Sequence, residues 1–355
     1  MPGIFGIISK NNNIKRNSHN IDSMTNTLLH ESFYSSGKFA QEDLNIFVGW
    51  VVHKNSSNDC MPIFNESKDL ILFFSGEHYP DLSEISYLKK KNHSFQKGDF
   101  SFLIHLYEEK KEEFFKILNG KFNGLLIDLN NKKVILFNDR YGFQRMYYYE
   151  TNENFVFSSE AKAILKICPE CRELRMDSLG QFFSFNCILE NNTLFEKVYL
   201  LPGASKWSFN ARKNIKKEAY FFPNEWENQP VVSNEILYSN VHNTIIKILP
   251  KYFNANEKVG LSLTGGFDTR IILANRENPA NSLPCYTFGG MYRDCYDVKV
   301  ARKIASACKQ THQTLRLDKK FLTQFPELAK KVVYITDGAF DISGAQNLYI
   351  NKMVR

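Results

Sequence analysis

Leu263-Thr264-Gly265-Gly266-Phe267-Asp268-Thr269 lies between a short apolar run at 259–263 and a helical stretch that starts within 271–275. The two glycines carry no Cβ, so the backbone there approaches a ligand closely. Their N–H groups and the N-terminus of the following helix face an anion, the arrangement that holds phosphates. Thr264 and Thr269 add hydroxyl donors, and Asp268 supplies a carboxylate for a metal riding on those phosphates. The Gly-Lys-Ser/Thr signature of the Walker loop is absent, and so is GxGxxG. A Gly-Gly turn that merely opens a helix is the bland alternative. The preceding strand, the flanking hydroxyls and the Asp favour nucleotide binding.

The pattern continues outward from this loop. Residues 234–249 read as a helix, with Ile236, Leu237, Val241, Ile245 and Ile248 near a 3–4 spacing. Residues 284–288 read as a second strand ending in Gly289-Gly290, and 313–317 as a third. Helices are predicted over 297–308 and 322–333. Strand–helix alternation at this spacing predicts a doubly wound α/β domain with a parallel sheet. Residues 345–354 are helix-like with no return strand after them, so this sheet is expected to be incomplete at the C-terminus.

Upstream the chain is β-rich. Residues 4–8, 45–52, 69–74, 125–129, 133–138, 146–149, 155–158 and 204–209 read as strands. Gly76-Glu77-His78 reads as a turn, and Asn130-Asn131 as the turn of a hairpin. Helices are predicted over 99–111, 112–118 and 160–167. This mixture predicts an α+β arrangement, two packed sheets covered by helices. The aperiodic stretch around Phe221, Pro223 and Trp226 is expected to be a linker, 216–233, between domains at 1–215 and 234–355.

Composition narrows the class. Hydrophobic residues make up 43% and charged residues 23%, which excludes a disordered or collagen-like chain. The excess of 45 basic over 38 acidic residues gives +7, spread in mixed runs such as Glu108-Glu109-Lys110-Lys111-Glu112-Glu113. That is a solvated surface rather than a nucleic-acid footprint. No run of 18 apolar residues exists, and the opening lacks the basic region of a signal peptide. Neither a nucleic-acid nor a membrane partner is expected. Seven scattered cysteines fit free thiols in a reducing cytoplasm; Cys168-Pro169-Glu170-Cys171 has no second pair to complete a zinc site.

The loop at 263–269 resembles the Ser-Gly-Gly-x-Asp-Ser pyrophosphate loop of the N-type ATP pyrophosphatases, with Thr at both serine positions. Residues 284–289 resemble the second strand of that fold, where the backbone around Phe288 would meet adenine. Met1-Pro2-Gly3-Ile4-Phe5-Gly6 is similar to the Met-Cys-Gly-Ile-Phe-Gly opening of the asparagine synthetase B family. Phe74-Ser75-Gly76-Glu77 resembles its Asn-Gly-Glu segment. Asn138-Asp139-Arg140-Tyr141-Gly142 resembles its Arg-Asp-x-x-Gly segment, with Asn at the Arg position, and Ser159-Glu160-Ala161-Lys162-Ala163 its Ser-Glu-x-Lys-Ala. The likeness runs in order over nearly the whole chain.

The resemblance implies an Ntn-type class II glutaminase sandwich followed by an ATP-pyrophosphatase domain. It implies ATP and Mg2+, with Leu263, Thr264, Gly265, Gly266, Asp268, Thr269 and Phe288 around the nucleotide and Asp268 on the metal. A carboxylate such as aspartate is adenylated, ammonia or an amine attacks, and AMP and pyrophosphate leave. Homodimers are the family-level expectation.

Three departures concern the glutaminase. The family's nucleophilic Cys corresponds to Pro2, which has no nucleophilic side-chain atom. Its oxyanion-hole Asn corresponds to Ser75. The Arg that grips glutamine is expected within 50–54, where only Lys54 is basic, a poor bidentate replacement. Ser75, Gly76, Glu77 and Asp99 stand as pocket remnants; Glu77 and Asp99 read equally as surface carboxylates. Glutamine hydrolysis is expected to be lost, as in β-lactam synthetases and lasso-peptide cyclases, which use a substrate amine. The family's later Ser-Gly-Glu-Gly-x-Asp-Glu segment and catalytic Lys are not within the 355 residues. The chain alone is therefore expected not to complete adenylation. Two rival readings are a non-catalytic binding remnant and another ATP pyrophosphatase of the same loop type.

Overall fold

The computed structural model describes residues 3–354 apart from 12, 97, 211–214, 254–257 and 276–278. The described chain divides into two compact units. One comprises residues 1–227 with 335–340, the other 228–334 with 341–355.

The first unit opens with β1 (Ile4–Ser9), α1 (Ile14–Leu28), β2 (Tyr34–Gln41) and β3 (Ile46–His53). A short β4 (Ile63–Phe64) precedes the long β5 (Leu70–His78). Helices α2 (Leu82–Lys90), α3 (Phe102–Lys110) and α4 (Phe114–Ile117) follow. Then come β6 (Gly120–Asp128), β7 (Lys133–Asn138), β8 (Tyr147–Glu150) and β9 (Asn154–Ser158). Helices α5 (Ala161–Ile167) and α6 (Met176–Phe185) lead to β10 (Tyr199–Leu200), β11 (Ser205–Asn210) and β12 (Ile215–Ala219).

These strands make two six-stranded antiparallel sheets, ordered β10-β8-β9-β1-β3-β2 and β12-β11-β7-β6-β5-β4. Side chains alternate along each strand, so a central strand serves two cores at once. Ile4 and Ile8 of β1, Val48 and Trp50 of β3, Phe73 of β5 and Leu136 of β7 share the core between the sheets. The intervening Phe5, Ile7 and Phe47 pack instead with Ile21, Met24 and Leu28 of α1 and Ile164 of α5. On the far side, Leu72, Phe74 and Phe137 pack with Leu103, Ile104 and Leu106 of α3 and Phe114 of α4. The result is the helix–sheet–sheet–helix layering read from the sequence.

Two readings are corrected. Gly76-Glu77-His78 is not a turn: β5 continues through it, pairing Gly76 with Phe122 and His78 with Gly120. Gly76 adopts φ +125°, and a Cβ there would lie 2.1 Å from the Lys121 carbonyl oxygen, so only glycine lets the strand pass. Residues 216–219 belong to β12, hydrogen-bonded to β11, rather than to a linker. Helices α1, α2 and α6 and strand β2 were not anticipated.

The second unit contains α7 (Asn234–Phe253), β13 (Leu261–Ser262), α8 (Phe267–Ala274) and β14 (Cys285–Gly290). It continues with α9 (Tyr296–Ala307), β15 (His312–Leu317), α10 (Lys319–Thr336) and α11 (Gly344–Val354). The three strands are parallel, in the order β13-β14-β15. Leu273 of α8 and Ala301 and Ala305 of α9 join one core with Leu263 and Cys285. The described strands therefore follow one another in chain order, without the reversal that double winding requires.

Phe137 is fully buried and meets Phe114, Phe115 and Phe122 edge-on, so it ties β7 to α4 and β6. Phe137→Ala is expected to cost about 3–5 kcal/mol, read as a lowered urea midpoint of the first unit.

Candidate functional site

The loop at 263–269 sits where β13 ends and α8 begins, at the carboxyl end of a parallel strand, where open α/β sheets place their ligands. Its entry is fixed. The Leu263 N–H donates to the Tyr286 carbonyl at 2.8 Å, and the Thr287 hydroxyl donates to the Leu263 carbonyl. Thr287 also meets His312 Nε2 at 2.9 Å, so β13, β14 and β15 are cross-braced just below the loop. Phe288 lies one step further along β14, half-buried, at the same end of the sheet.

Past Leu263 the chain is open to solvent, with Gly266, Phe267 and Asp268 exposed. Three of its amides nevertheless have partners. The Thr264 N–H donates to Thr269 Oγ1 at 3.1 Å, and the Gly266 N–H to Thr264 Oγ1 at 3.0 Å. The Gly265 N–H donates to a carboxylate, Asp297 Oδ1, at 3.0 Å. Thr264 and Thr269 thus turn inward and shape the loop. A side-chain anion from α9 occupies the amide that the sequence reading offered to a phosphate. A Cβ on residue 265 would lie 2.7 Å from that same Asp297 oxygen, so Gly265 is needed for the contact. Gly266 is the N-cap of α8, which therefore starts at Phe267 rather than near Ile271. Asp268 lies in the first turn of α8, beside the positive end of the helix dipole and open to solvent. Its carboxylate suits a hard cation, and no other described carboxylate belongs to the loop.

In the first unit the pocket remnants are only partly brought together. Pro2 lies outside the described residues. Ser75 is buried near the start of β1: a Cβ at Gly3 would lie 2.7 Å from its Oγ. Asn58, which carries no recognisable motif, holds Gly76 by both backbone groups. Its Nδ2 donates to the Gly76 carbonyl at 3.0 Å, and its Oδ1 accepts the Gly76 N–H at 3.1 Å. Glu77 is exposed, taking a hydrogen bond from the Tyr79 hydroxyl at 2.8 Å and lying 3.7 Å from Lys121 Nζ. Asp99 accepts from the Ser101 N–H at 2.9 Å, bracing the approach to α3. Both carboxylates thus have local structural partners. Lys54 turns away to the Ser32 carbonyl at 3.2 Å.

Two segments that carried the resemblance are structural. The buried Asp139 carboxylate accepts the amides of Tyr141, Phe143 and Gln144 at 2.8–3.1 Å and so folds the turn after β7. Glu160 and Lys162 pair with each other, and Lys162 lies 3.2 Å from Asp337. Asp337 also accepts the Ala161 N–H at 2.7 Å; burial raises its carboxyl above the usual range.

Residues 1–221 match the family model for a glutamine amidotransferase domain. The chain belongs to that family. Within the amidotransferases it is asparagine synthetase-like. It is 25% identical over 289 residues to "Asparagine synthetase [glutamine-hydrolyzing] 1" of Bacillus subtilis, covering 81% of this chain and 45% of that protein. It is also 25% identical over 313 residues to the second such synthetase of that organism, covering 82% and 40%. The chain thus spans less than half the length of these two relatives. In the Bacillus subtilis structure of glutamine phosphoribosylpyrophosphate amidotransferase, identity is 12% and the TM-score 0.46, covering 88% of this chain and 65% of that one.

Three of the described cysteines are poor thiolates. Burial pushes the Cys60 thiol up to about 11, and those of Cys168 and Cys171 to about 12 and about 11. Native-state alkylation at pH 8, followed by peptide mass mapping, is expected to label the exposed Cys187 and Cys295 and to spare Cys60, Cys168, Cys171 and Cys285.

Proposed function

We propose that this chain is part of an ATP-dependent amide ligase of the asparagine synthetase kind whose own glutaminase no longer turns over. The observation that carries this reading is the strand–loop–helix at 263–269, whose Gly265 amide already holds an anionic oxygen. Thr264, Gly265 and Gly266 would face the polyphosphate of ATP, and Phe288 would border the adenine. Mg2+ would be held by Asp268 together with the phosphates and would supply charge neutralisation there.

In the reaction this implies, a carboxylate oxygen of aspartate or a related acid attacks the α-phosphorus and pyrophosphate departs. Ammonia or an amine then attacks the acyl carbon, and AMP leaves. The chain's own part is to fix the nucleotide against rigid backbone, since Leu263 is locked to β14 on both sides of its peptide. Loss of glutamine hydrolysis rests on Pro2 at the nucleophile position, on Ser75 in place of an amide donor, and on Lys54 tied to a distant carbonyl. Free thiols support a cytoplasmic location; no described helix is long and apolar enough to cross a membrane.

A second reading, a non-catalytic binding remnant, draws support from one feature. The amides of Thr264, Gly265 and Gly266 are all satisfied by protein oxygens.

Calorimetric titration separates the two. The ligase reading expects saturable Mg–ATP binding that Gly265→Val weakens at least about tenfold, about 1.4 kcal/mol, with an unchanged circular dichroism spectrum. No binding by the unaltered chain would overturn it in favour of the remnant. Incubation with glutamine is expected to release no glutamate above the blank, and steady glutamate release would overturn the loss of hydrolysis.

A further inference from the structure

Four ligand-type side chains converge on the first unit, outside every residue assigned above. Glu66 lies in the turn between β4 and β5, and His93 in the segment after α2. His105 and Glu108 lie three residues apart on α3 and so share one face. Their ligand atoms all fall within 4.8 Å of one another.

The spacing suits a metal ion. His105 Nδ1 is 2.9 Å from Glu108 Oε2 and 3.3 Å from Glu66 Oε2. His93 Nδ1 is 3.8 Å from Glu66 Oε1 and 4.0 Å from Glu108 Oε2. A tetrahedral zinc site with bonds of about 2.0–2.1 Å has ligand–ligand edges of about 3.3–3.4 Å. The two separations that share Glu108 Oε2, 2.9 and 4.0 Å, bracket that edge, and Glu66 turns one oxygen to each imidazole.

The hydrogen bonding around the cluster points the same way. His93 Nε2 lies 3.2 Å from Glu109 Oε1, whose other oxygen accepts the Tyr87 hydroxyl at 2.8 Å. A neutral imidazole with its N–H on Nε2 turns its Nδ1 lone pair toward Glu66 and Glu108, an unfavourable meeting unless a cation lies between. At His105 a single Nδ1 faces two carboxylates, and one N–H does not serve both well. Asn65 Nδ2 donates to Glu108 Oε1 at 2.8 Å and fixes that carboxylate, so Asn65 and Glu109 form the outer layer that orients metal ligands. Two imidazole nitrogens favour zinc over calcium or magnesium.

We propose that Glu66, His93, His105 and Glu108 bind one zinc-class divalent ion. Four protein ligands make the site a closed, structural one that staples the β4–β5 turn and the segment after α2 to α3. The competing arrangement takes no metal: two imidazoliums serve as the cations in an ion-pair network.

The test is a zinc titration of the chelator-stripped full chain against a chromophoric chelator, with Co2+ absorption as a second readout. The expected result is one tight equivalent, a raised melting temperature, and a Co2+ spectrum without thiolate charge-transfer bands. His93→Gln and Glu66→Gln, both at solvent-reached positions, are expected to abolish tight binding while keeping the native circular dichroism spectrum. Glu109→Gln is expected to weaken binding by about 10–100-fold, the effect of an outer-layer partner. The double variant Cys187→Ser, Cys295→Ser is expected to bind as the unaltered chain does. Absence of a saturable equivalent, binding unchanged in both His93→Gln and Glu66→Gln, or binding lost with the two cysteines would each overturn the site.

Discussion

The first unit depends on central strands that are buried on both faces. One face of β1, β3, β5, β6 and β7 meets the opposite sheet, and the other meets helices. Polar chemistry is therefore pushed to strand ends and to the turns between strands. Ser75, Gly76 and Glu77 lie at the end of β5, and Asp139 follows β7 directly. Asp139 itself is spent on backbone amides, so a motif that looks chemical from its residue types is architectural in its contacts.

The second unit obeys a different constraint. Its candidate loop is built on backbone, and its entry is held by the bracing of Leu263 by Tyr286 and Thr287. The Asp297 carboxylate accepts the Gly265 N–H, so that amide already points at a negative oxygen. It also bears on the balance between a working nucleotide site and a silent one, since an incoming phosphate would meet an amide already engaged.

Much of the fold was legible because burial on both faces leaves unbroken apolar runs, such as Leu70–Phe74 and Val134–Phe137. Helix α1 escaped because its buried stripe is Asn17, Ile21, Met24 and Leu28, one polar member among three apolar ones in an otherwise polar segment. Strand β2 escaped because it is an edge strand whose half-buried positions include Ser35, Gly37 and Gln41. Gly76 misled because a glycine beside charged residues reads as a turn, whereas here its positive φ is accommodated within a paired strand. In the site, Gly265, Gly266 and their hydroxyl neighbours were legible as a local pattern. Asn58 and Asp297 were not, since each acts on a glycine distant in sequence: Asn58 on Gly76, and Asp297, 32 positions away, on Gly265.

The grip of Asn58 on Gly76 reaches beyond the pocket. Strand β4 covers β5 only at Leu72 and Ile71, so past that point one flank of β5 has no strand beside it among the described residues. A carboxamide has the same donor and acceptor as a peptide group, and Asn58 presents both to Gly76. It acts as a one-residue surrogate strand. By occupying that stretch of ladder it withholds the edge from pairing with another chain, a defence against aggregation that uses a side chain rather than a charge or a bulge.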